Sequence, residues 1–416
     1  MASRLKINPI PILLLVVFLD FIGFGMIIPI APLLLTDPTS SGFLLTGSSA
    51  HTGYILLGIM LAMFPLGQFL VAPILGQLSD RVGRKPVLAF TLAGTLLSYI
   101  VFAIGIYTRD IPLLIGARFL DGVTGSNISV TYAALADITK PQDRSRRFGL
   151  VGATIGLGLT LGPFLGGALS DSHTVPWFSF ATPFWVAAGF SLFAVLAVLF
   201  CFAETLPEKV VGAKIHLNQS FLNIQRALSL SGLRPMLSTS FIYSFGFTFY
   251  QTFIGVFLVH KFAFGAVQIG NFFLYTGIWL MIAQLLVVRR LARMFSERQI
   301  LRFSLVCTGL CPLLYLLPGV WWGVLFIVPF FTIFNALTVV NIPALISRSA
   351  GASMQGEVLG INASVQALGQ TLPPIIAGFL AAQIVFWVPL FVAGVVVAAA
   401  GFVFITFYKE KNLAHA

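Results

Sequence analysis

Gly76-Gln77-Leu78-Ser79-Asp80-Arg81-Val82-Gly83-Arg84-Lys85-Pro86 is a charged turn set between two long apolar stretches. Charge is costly inside a bilayer, so four ionised residues packed this closely belong at a membrane face. The composition agrees. Hydrophobic residues make up 58% of the 416 and charged residues only 9%, against about 25% charged in soluble domains. With a mean hydropathy of +0.98, the chain reads as a polytopic membrane protein. A net charge of +11 would also suit nucleic acid, but the positions of the charges argue against such a partner.

Working outward from the turn, segments apolar enough to span a bilayer, about 20 residues each, fall at roughly 10–35, 53–77, 86–106, 111–136, 147–170 and 180–203. Six more follow at roughly 235–259, 266–288, 299–318, 321–346, 356–380 and 385–408. The expected fold is an all-α membrane protein with twelve transmembrane helices in two six-helix bundles, 1–203 and 235–416. A cytoplasmic linker, 204–234, separates them. With a cytoplasmic N-terminus, 21 of the 24 lysines and arginines fall on the cytoplasmic side, from Arg4 and Lys6 through Lys209 and Lys214 to Lys409 and Lys411. Arg109 and Lys261 fall opposite, and Arg118 lies within a helix. The positive-inside rule then puts both termini in the cytoplasm and accounts for the basic balance. The N-terminal apolar run is too long for a signal peptide and contains Asp20, so it reads as the first span.

The halves repeat. Residues 149–163 align without gaps on 360–374, so that Gly158 meets Gly369 and Pro163 meets Pro374. The charged turn aligns on 291–301, where Arg293 replaces Asp80, Ser296 replaces Gly83 and Glu297 replaces Arg84. In the linker, Leu217, Phe221, Ile224 and Leu228 share one helical face, either as an interfacial amphipathic helix or as part of a plain tether. Cys307 and Cys311 are four apart on a helix, which suits two packed thiols, and no metal-ligand spacing occurs. All five histidines (His51, His173, His216, His260 and His415) fall in loops or at helix ends.

Ionisable residues inside the apolar segments are the sharpest functional signal. Asp20 lies about 15 Å into the first span at 1.5 Å per residue, and Asp121 is similarly deep in the fourth. Arg118, one turn before Asp121, shares its face. Each costs about 2.5 to 3.5 kcal/mol at mid-membrane, so the three need a purpose or a cavity. They are candidates for proton coupling. Arg118 and Asp121 equally suit a static ion pair, whereas Asp20 has no partner nearby in sequence. Glycines at 152, 156, 158, 162, 166 and 167 around Pro163 would form a groove for close helix packing, with a proline kink. Gly76 would admit a neighbouring backbone, and Gly83 would permit the tight turn.

The turn G-x-L-x-D-R-x-G-R-K resembles the loop between helices 2 and 3 of major facilitator superfamily transporters. Gly152 through Gly162-Pro163-Phe164-Leu165-Gly166-Gly167 resembles the antiporter motif of the superfamily's drug:proton exporters. Leu19-Asp20 through Pro32, and Ala136-Asp137-Ile138-Thr139 with the run from Asp143 to Gly149, are similar to the tetracycline-efflux branch. The likeness covers most of the N-terminal half. It implies that Gly76, Asp80, Arg81, Gly83, Arg84 and Lys85 form a cytoplasmic gate, with Asp80 at the start of the helix near Gly356. It also implies a proton-coupled exporter that works by alternating access, driven by the proton gradient without a cofactor. The sequence departs from the branch at Ser98 and Thr308, where tetracycline exporters carry carboxylates, and at Asp121, where they are uncharged. An amphiphilic or drug-like substrate is therefore expected rather than tetracycline itself.

Polar and aromatic residues in the C-terminal half are candidates to line the substrate path: Tyr243, Phe249, Tyr250 and Gln251, then Asn335 and Asn341, then Asn362, Gln366 and Gln370. Buried amides also serve simply to bond neighbouring helices. The alternative function is a proton symporter or facilitator for a metabolite such as a sugar or siderophore. No enzyme motif is present. The expected partners are a small molecule, protons and the lipid bilayer. The expected state is a monomer in a bacterial inner membrane.

Overall fold

The computed structural model describes residues 9–45, 50–140, 143–207, 215–230, 232–350 and 354–408. Arg4, Lys6, Lys209, Lys214, Lys409, Lys411 and His415 lie outside them. The described residues are helical, with no strand among them. In order, the helices are α1 Pro9–Met26, α2 Ala31–Leu35, α3 Ala50–Val82, α4 Arg84–Thr108, α5 Ile111–Thr124, α6 Ile128–Asp137, α7 Arg144–Leu169, α8 Thr182–Cys201 and α9 Gln219–Ser229. Then come α10 Arg234–Phe262, α11 Ala266–Ile282, a π-helical segment Ala283–Val288, α12 Arg289–Leu291, α13 Glu297–Leu314, α14 Trp321–Ser349, α15 Gln355–Thr371, α16 Pro373–Gln383 and α17 Val388–Phe407.

Ten of these stretches are long and apolar enough to cross a membrane. The two other expected spans are helical but fall short of that measure for visible reasons. The fourth is interrupted at Gly125–Asn127 into α5 and α6, and the ninth, α13, opens with Glu297, Arg298 and Arg302. Large apolar side chains such as Phe90, Phe200, Phe326 and Phe402 stand largely exposed. That is expected where the solvent is lipid.

The helices group into two compact units, Met1–Ser220 with Gly255–Ile278, and Phe221–Ile254 with Trp279–Ala416. The first unit has a core of Leu13, Val16 and Val17 from α1 against Leu88 and Leu92 of α4, Val130 and Ala134 of α6, and Val198 of α8. The second packs Leu237 of α10 against Leu301 and Leu305 of α13, Ile342 and Ile346 of α14, and Phe404 of α17. In the linker, α9 tucks Ser220 and Ala227 inward and leaves Phe221 and Leu228 exposed, as is Leu217 just before it, which suits a helix at the membrane interface. Within the second unit, Asn223 donates to Ser364 Oγ at 2.9 Å, and Arg226 pairs with Glu357.

The charged turn is tighter than the apolar pattern implies. Helix α3 continues through Asp80 and Arg81 to Val82, and α4 begins at Arg84, leaving Gly83 alone as the turn. Its φ of 117° lies where only glycine is comfortable, and a Cβ there would collide with the Glu204 carboxylate. At Gly76, a Cβ would meet nothing within 4 Å. The expected backbone approach is absent there, because that turn of α3 faces open space.

Candidate functional site

The buried charges converge in the first unit. Helix α5 is started by Asp110, whose carboxylate accepts from Leu113 N, an N-cap that satisfies an otherwise unpaired donor. It lies backbone to backbone on α3. A Cβ at Gly122 would strike Phe64 O, and one at Gly67 would lie 2.7 Å from Val123 N. This close approach brings the Phe64 ring to Arg118. Arg118 Nη1 donates to Asp121 Oδ2 at 2.6 Å, and both residues are at most 4% exposed. The guanidinium also sits over the rings of Phe24 and Phe64, at 5.5 and 5.0 Å from their centroids, where cation–π attraction offsets part of its desolvation. Arg118 Nε finds no acceptor among the described residues.

Asp20 enters from α1. Its carboxylate is within electrostatic range of Asp121 and Asn127; Asn127 sits in the break between α5 and α6, and its buried amide nitrogen has no hydrogen-bond partner among the described residues. Tyr99 of α4 lies within range of Asp20, Arg118 and Asp121. Its hydroxyl takes the space over Gly23, where a Cβ would come within 2.5 Å. Two carboxylates thus lie near one another with one guanidinium, which pairs with Asp121. With Arg118 spent on Asp121, the cluster holds one unmatched negative charge unless it binds a proton or a cation. Sequence spacing links Arg118 to Asp121, but the approach of Asp20 joins helices about a hundred residues apart. The sequence reading missed Asn127, Tyr99, Phe24 and Phe64. An amide at a Gly-Ser-Asn helix break was the one available signal, and it pointed only to Asn127.

A second network ties the charged turn down. Arg84 is buried, pairing with Asp80 at 2.6 Å and Asp137 at 2.9 Å while donating to Ser79 Oγ. Glu204 accepts from the backbone N–H groups of Arg84 and Lys85 at 2.9 and 3.1 Å, and Lys85 Nζ donates to Phe202 O. Partial burial works against the Glu204 charge, yet the N–H groups of Leu206, Arg84, Lys85 and Thr205 together hold its carboxyl below the ordinary range. Glu204 is the member that sequence could not supply, 120 residues from Arg84. Arg81 is exposed.

The glycines of α7 divide into two groups. Gly158, Gly162 and Gly166 press on Phe18–Met26 of α1, and Gly167 meets the backbone at Ala266. Added Cβ atoms at Gly152 and Gly156 would meet nothing within 4 Å, so those two lie outside the groove expected of all six. Pro163 sits within an unbroken α7.

Most of the candidate lining residues in the second unit are committed to partners within that unit. Tyr243 Oη donates to Asn335 Oδ1 at 2.6 Å. Tyr250 packs on Phe331 and Tyr315, with ring centroids 4.4 and 5.8 Å away, and Phe249 is buried against Phe245. Asn341 bonds back to Leu337 O of its own helix. Ser240 Oγ joins two of the expected stripe, donating to Asn362 at 2.7 Å and accepting from Gln366 at 3.4 Å. Gln370 does not join them, and it and Gln251 are half-buried. Ser98 and Thr308 bond to Ala117 O and Thr338 Oγ1. Among the described residues, no cluster of His, Cys, Asp and Glu is fit to hold a metal, and all three cysteines are free.

The chain is 29% identical over 411 residues to the class H tetracycline resistance protein of Pasteurella multocida, covering 97% of each. It is 28% identical to multidrug resistance protein 1 of Bacillus subtilis, over 89% of this chain and 88% of that one. In fold it is similar to the human organic anion transporter MFSD10 (TM-score 0.72, 22% identity, 97% of this chain and 100% of that one). It also resembles a D-xylose-proton symporter (TM-score 0.76, 14% identity, 96% and 97%). The family model of the Major Facilitator Superfamily matches residues 13–374, so this all-helical integral membrane protein belongs to that superfamily and is a transporter of small molecules.

Proposed function

We propose that the protein exports an amphiphilic, drug-like molecule in exchange for protons, and that Asp20 carries the proton. The observation that carries this reading is the unmatched charge. Arg118 neutralises Asp121 at 2.6 Å, so the group beside them, Asp20, alternates between a protonated state and one paired with a cationic portion of substrate. Charge left unpaired at that depth costs a few kcal/mol, which couples its loading to the exchange. The unsatisfied Nε of Arg118 is a further donor beside it. The tetracycline and multidrug resistance proteins among its relatives support export over metabolite uptake.

Around this site we infer twelve spans in two bundles, 1–203 and 235–416, joined by the linker 204–234. The termini lie on the cytoplasmic side of a bacterial inner membrane, the working unit is a monomer, and no cofactor beyond the proton gradient is used. The network on Arg84, with Asp80 and Glu204, keeps the cytoplasmic end of the first bundle rigid while the gate opens and closes.

The test is proton release from acidified inverted vesicles on adding a panel of drugs, sugars and siderophores, wild type beside Asp20→Asn. A drug that collapses the gradient through the wild type alone supports antiport through Asp20. An equal response from the variant removes Asp20 from the mechanism. Uptake of a sugar with its gradient, and no drug response, replaces the exporter by a symporter.

A further inference from the structure

The π-helical segment and α12 carry a feature that transport does not explain. Leu285, Leu286, Arg289, Arg290 and Arg293 line one cavity of about 490 Å³. The two leucines are 70% and 65% exposed, and the three arginines are exposed as well. Among the described residues, none of these arginine side chains has an ion pair or hydrogen bond.

The first-half counterpart shows what is missing. There Arg84 is held by Asp80 and Asp137, and the backbone at Arg84 and Lys85 is held by Glu204. In the second copy, Arg293 stands where the alignment puts Asp80, so a cation replaces the counter-charge. Glu297, the one carboxylate nearby in sequence, is taken by Arg348. Three like charges therefore gather with nothing among the described residues to neutralise them.

Their depth identifies what does. The stretch Ala266–Leu291 has 26 residues, longer at about 1.5 Å per residue than a hydrocarbon core of about 30 Å. Its last turn therefore reaches headgroup level. Leu285 and Leu286 lie one turn earlier, at the top of the acyl region. The cavity thus presents cations at the height of a lipid phosphate and apolar side chains at the height of its first methylenes. Three arginines rather than lysines suit the planar, bidentate grip on phosphate.

We propose that Leu285, Leu286, Arg289, Arg290 and Arg293 form a binding site for an anionic phospholipid. The headgroup phosphate accepts from the guanidinium groups, and an acyl chain lies on the leucines. The site is independent of substrate and of the proton step.

Native mass spectrometry of the full chain, purified in detergent with phosphatidylglycerol or phosphatidylcholine, tests this. Each arginine near an anionic lipid is worth on the order of fivefold in affinity. The triple variant Arg289→Gln/Arg290→Gln/Arg293→Gln should therefore retain phosphatidylglycerol about 100-fold more weakly, with a much smaller loss for phosphatidylcholine, whose phosphate is offset by its own choline cation. Inorganic phosphate should not displace the lipid, and Leu285→Ser/Leu286→Ser should weaken retention without adding affinity for phosphate. Equal retention by the triple variant overturns the site. Displacement by inorganic phosphate at lipid-like concentrations makes it a soluble-anion site instead. Should the triple variant not fold, Arg290→Gln alone is expected to show the single fivefold step, and its absence overturns the proposal equally.

Discussion

Replacing Gly162 by alanine adds one methyl group to a helix face that already touches its neighbour through backbone. That Cβ would lie 2.5 Å from Ile22 O and 2.9 Å from Gly25 Cα, against the 3.4 Å at which ordinary contact begins. Helices α1 and α7 must then part by about 0.9 Å locally, because neither opposing atom belongs to a flexible side chain. Overpacking of this kind costs about 1–3 kcal/mol, and the better helix propensity of alanine returns at most about 1 kcal/mol. Gly166→Ala, whose Cβ would press on Met26 O and lie 2.8 Å from Met26 Cα, should behave alike. Gly152→Ala and Gly156→Ala meet only open space and should be neutral or up to about 1 kcal/mol more stable than wild type. Thermal midpoints in detergent, read by size-exclusion recovery after heating, should fall by a few degrees for the first pair and not for the second. Transport should fall further than stability at Gly162, since the displaced segment of α1 carries Asp20. If Gly162→Ala matches Gly152→Ala in both measurements, the α1–α7 contact is not held by glycine and the geometry argument is wrong.

Breaking the buried pair with Arg118→Met should destabilise by about 3–5 kcal/mol, and Arg118→Met/Asp121→Leu should recover most of that; a double variant as unstable as the single one would mean that the pair is not the issue. Because the Glu204 carboxyl is held below its usual 4.5, its contribution is complete above that pH and lost as pH falls through the lower folded value. Melting curves of Glu204→Gln and wild type should therefore differ at neutral pH and converge in acid below about 4.5. Tyr243→Phe removes the bond to Asn335 and leaves a half-buried acceptor, so a loss of about 1 kcal/mol is expected; no change in unfolding would show that the amide readily finds another donor.

The contrast between α7 and the buried charges explains how far this chain can be read from its residues. An apolar run of twenty residues has one stable outcome in a bilayer, so ten of the expected spans were legible, while the fourth is interrupted and the ninth opens on charged residues. That interruption rests on Gly125, Ser126 and Asn127, residues a helix tolerates singly. Charge at mid-membrane is rare enough that Asp20, Arg118 and Asp121 declared themselves, and the spacing of three fixed the Arg118–Asp121 pair. What the spacing did not carry is which helix comes to which. Asp20 comes within electrostatic range of Asp121, and Glu204 caps the turn at Gly83, only because α1, α4, α5 and α8 pack as they do. The same ignorance made six glycines look equivalent when three face α1, one meets Ala266 and two face nothing. In the second unit it left Asn362 and Gln366 as candidate substrate contacts when both bond Ser240. An amide in a bilayer must find a partner among its neighbours or in a ligand, and composition alone does not choose between them. Asp20 is the informative exception. With Arg118 taken by Asp121, no ion pair to Asp20 occurs among the described residues, and the proposed proton exchange rests on that unmatched carboxylate.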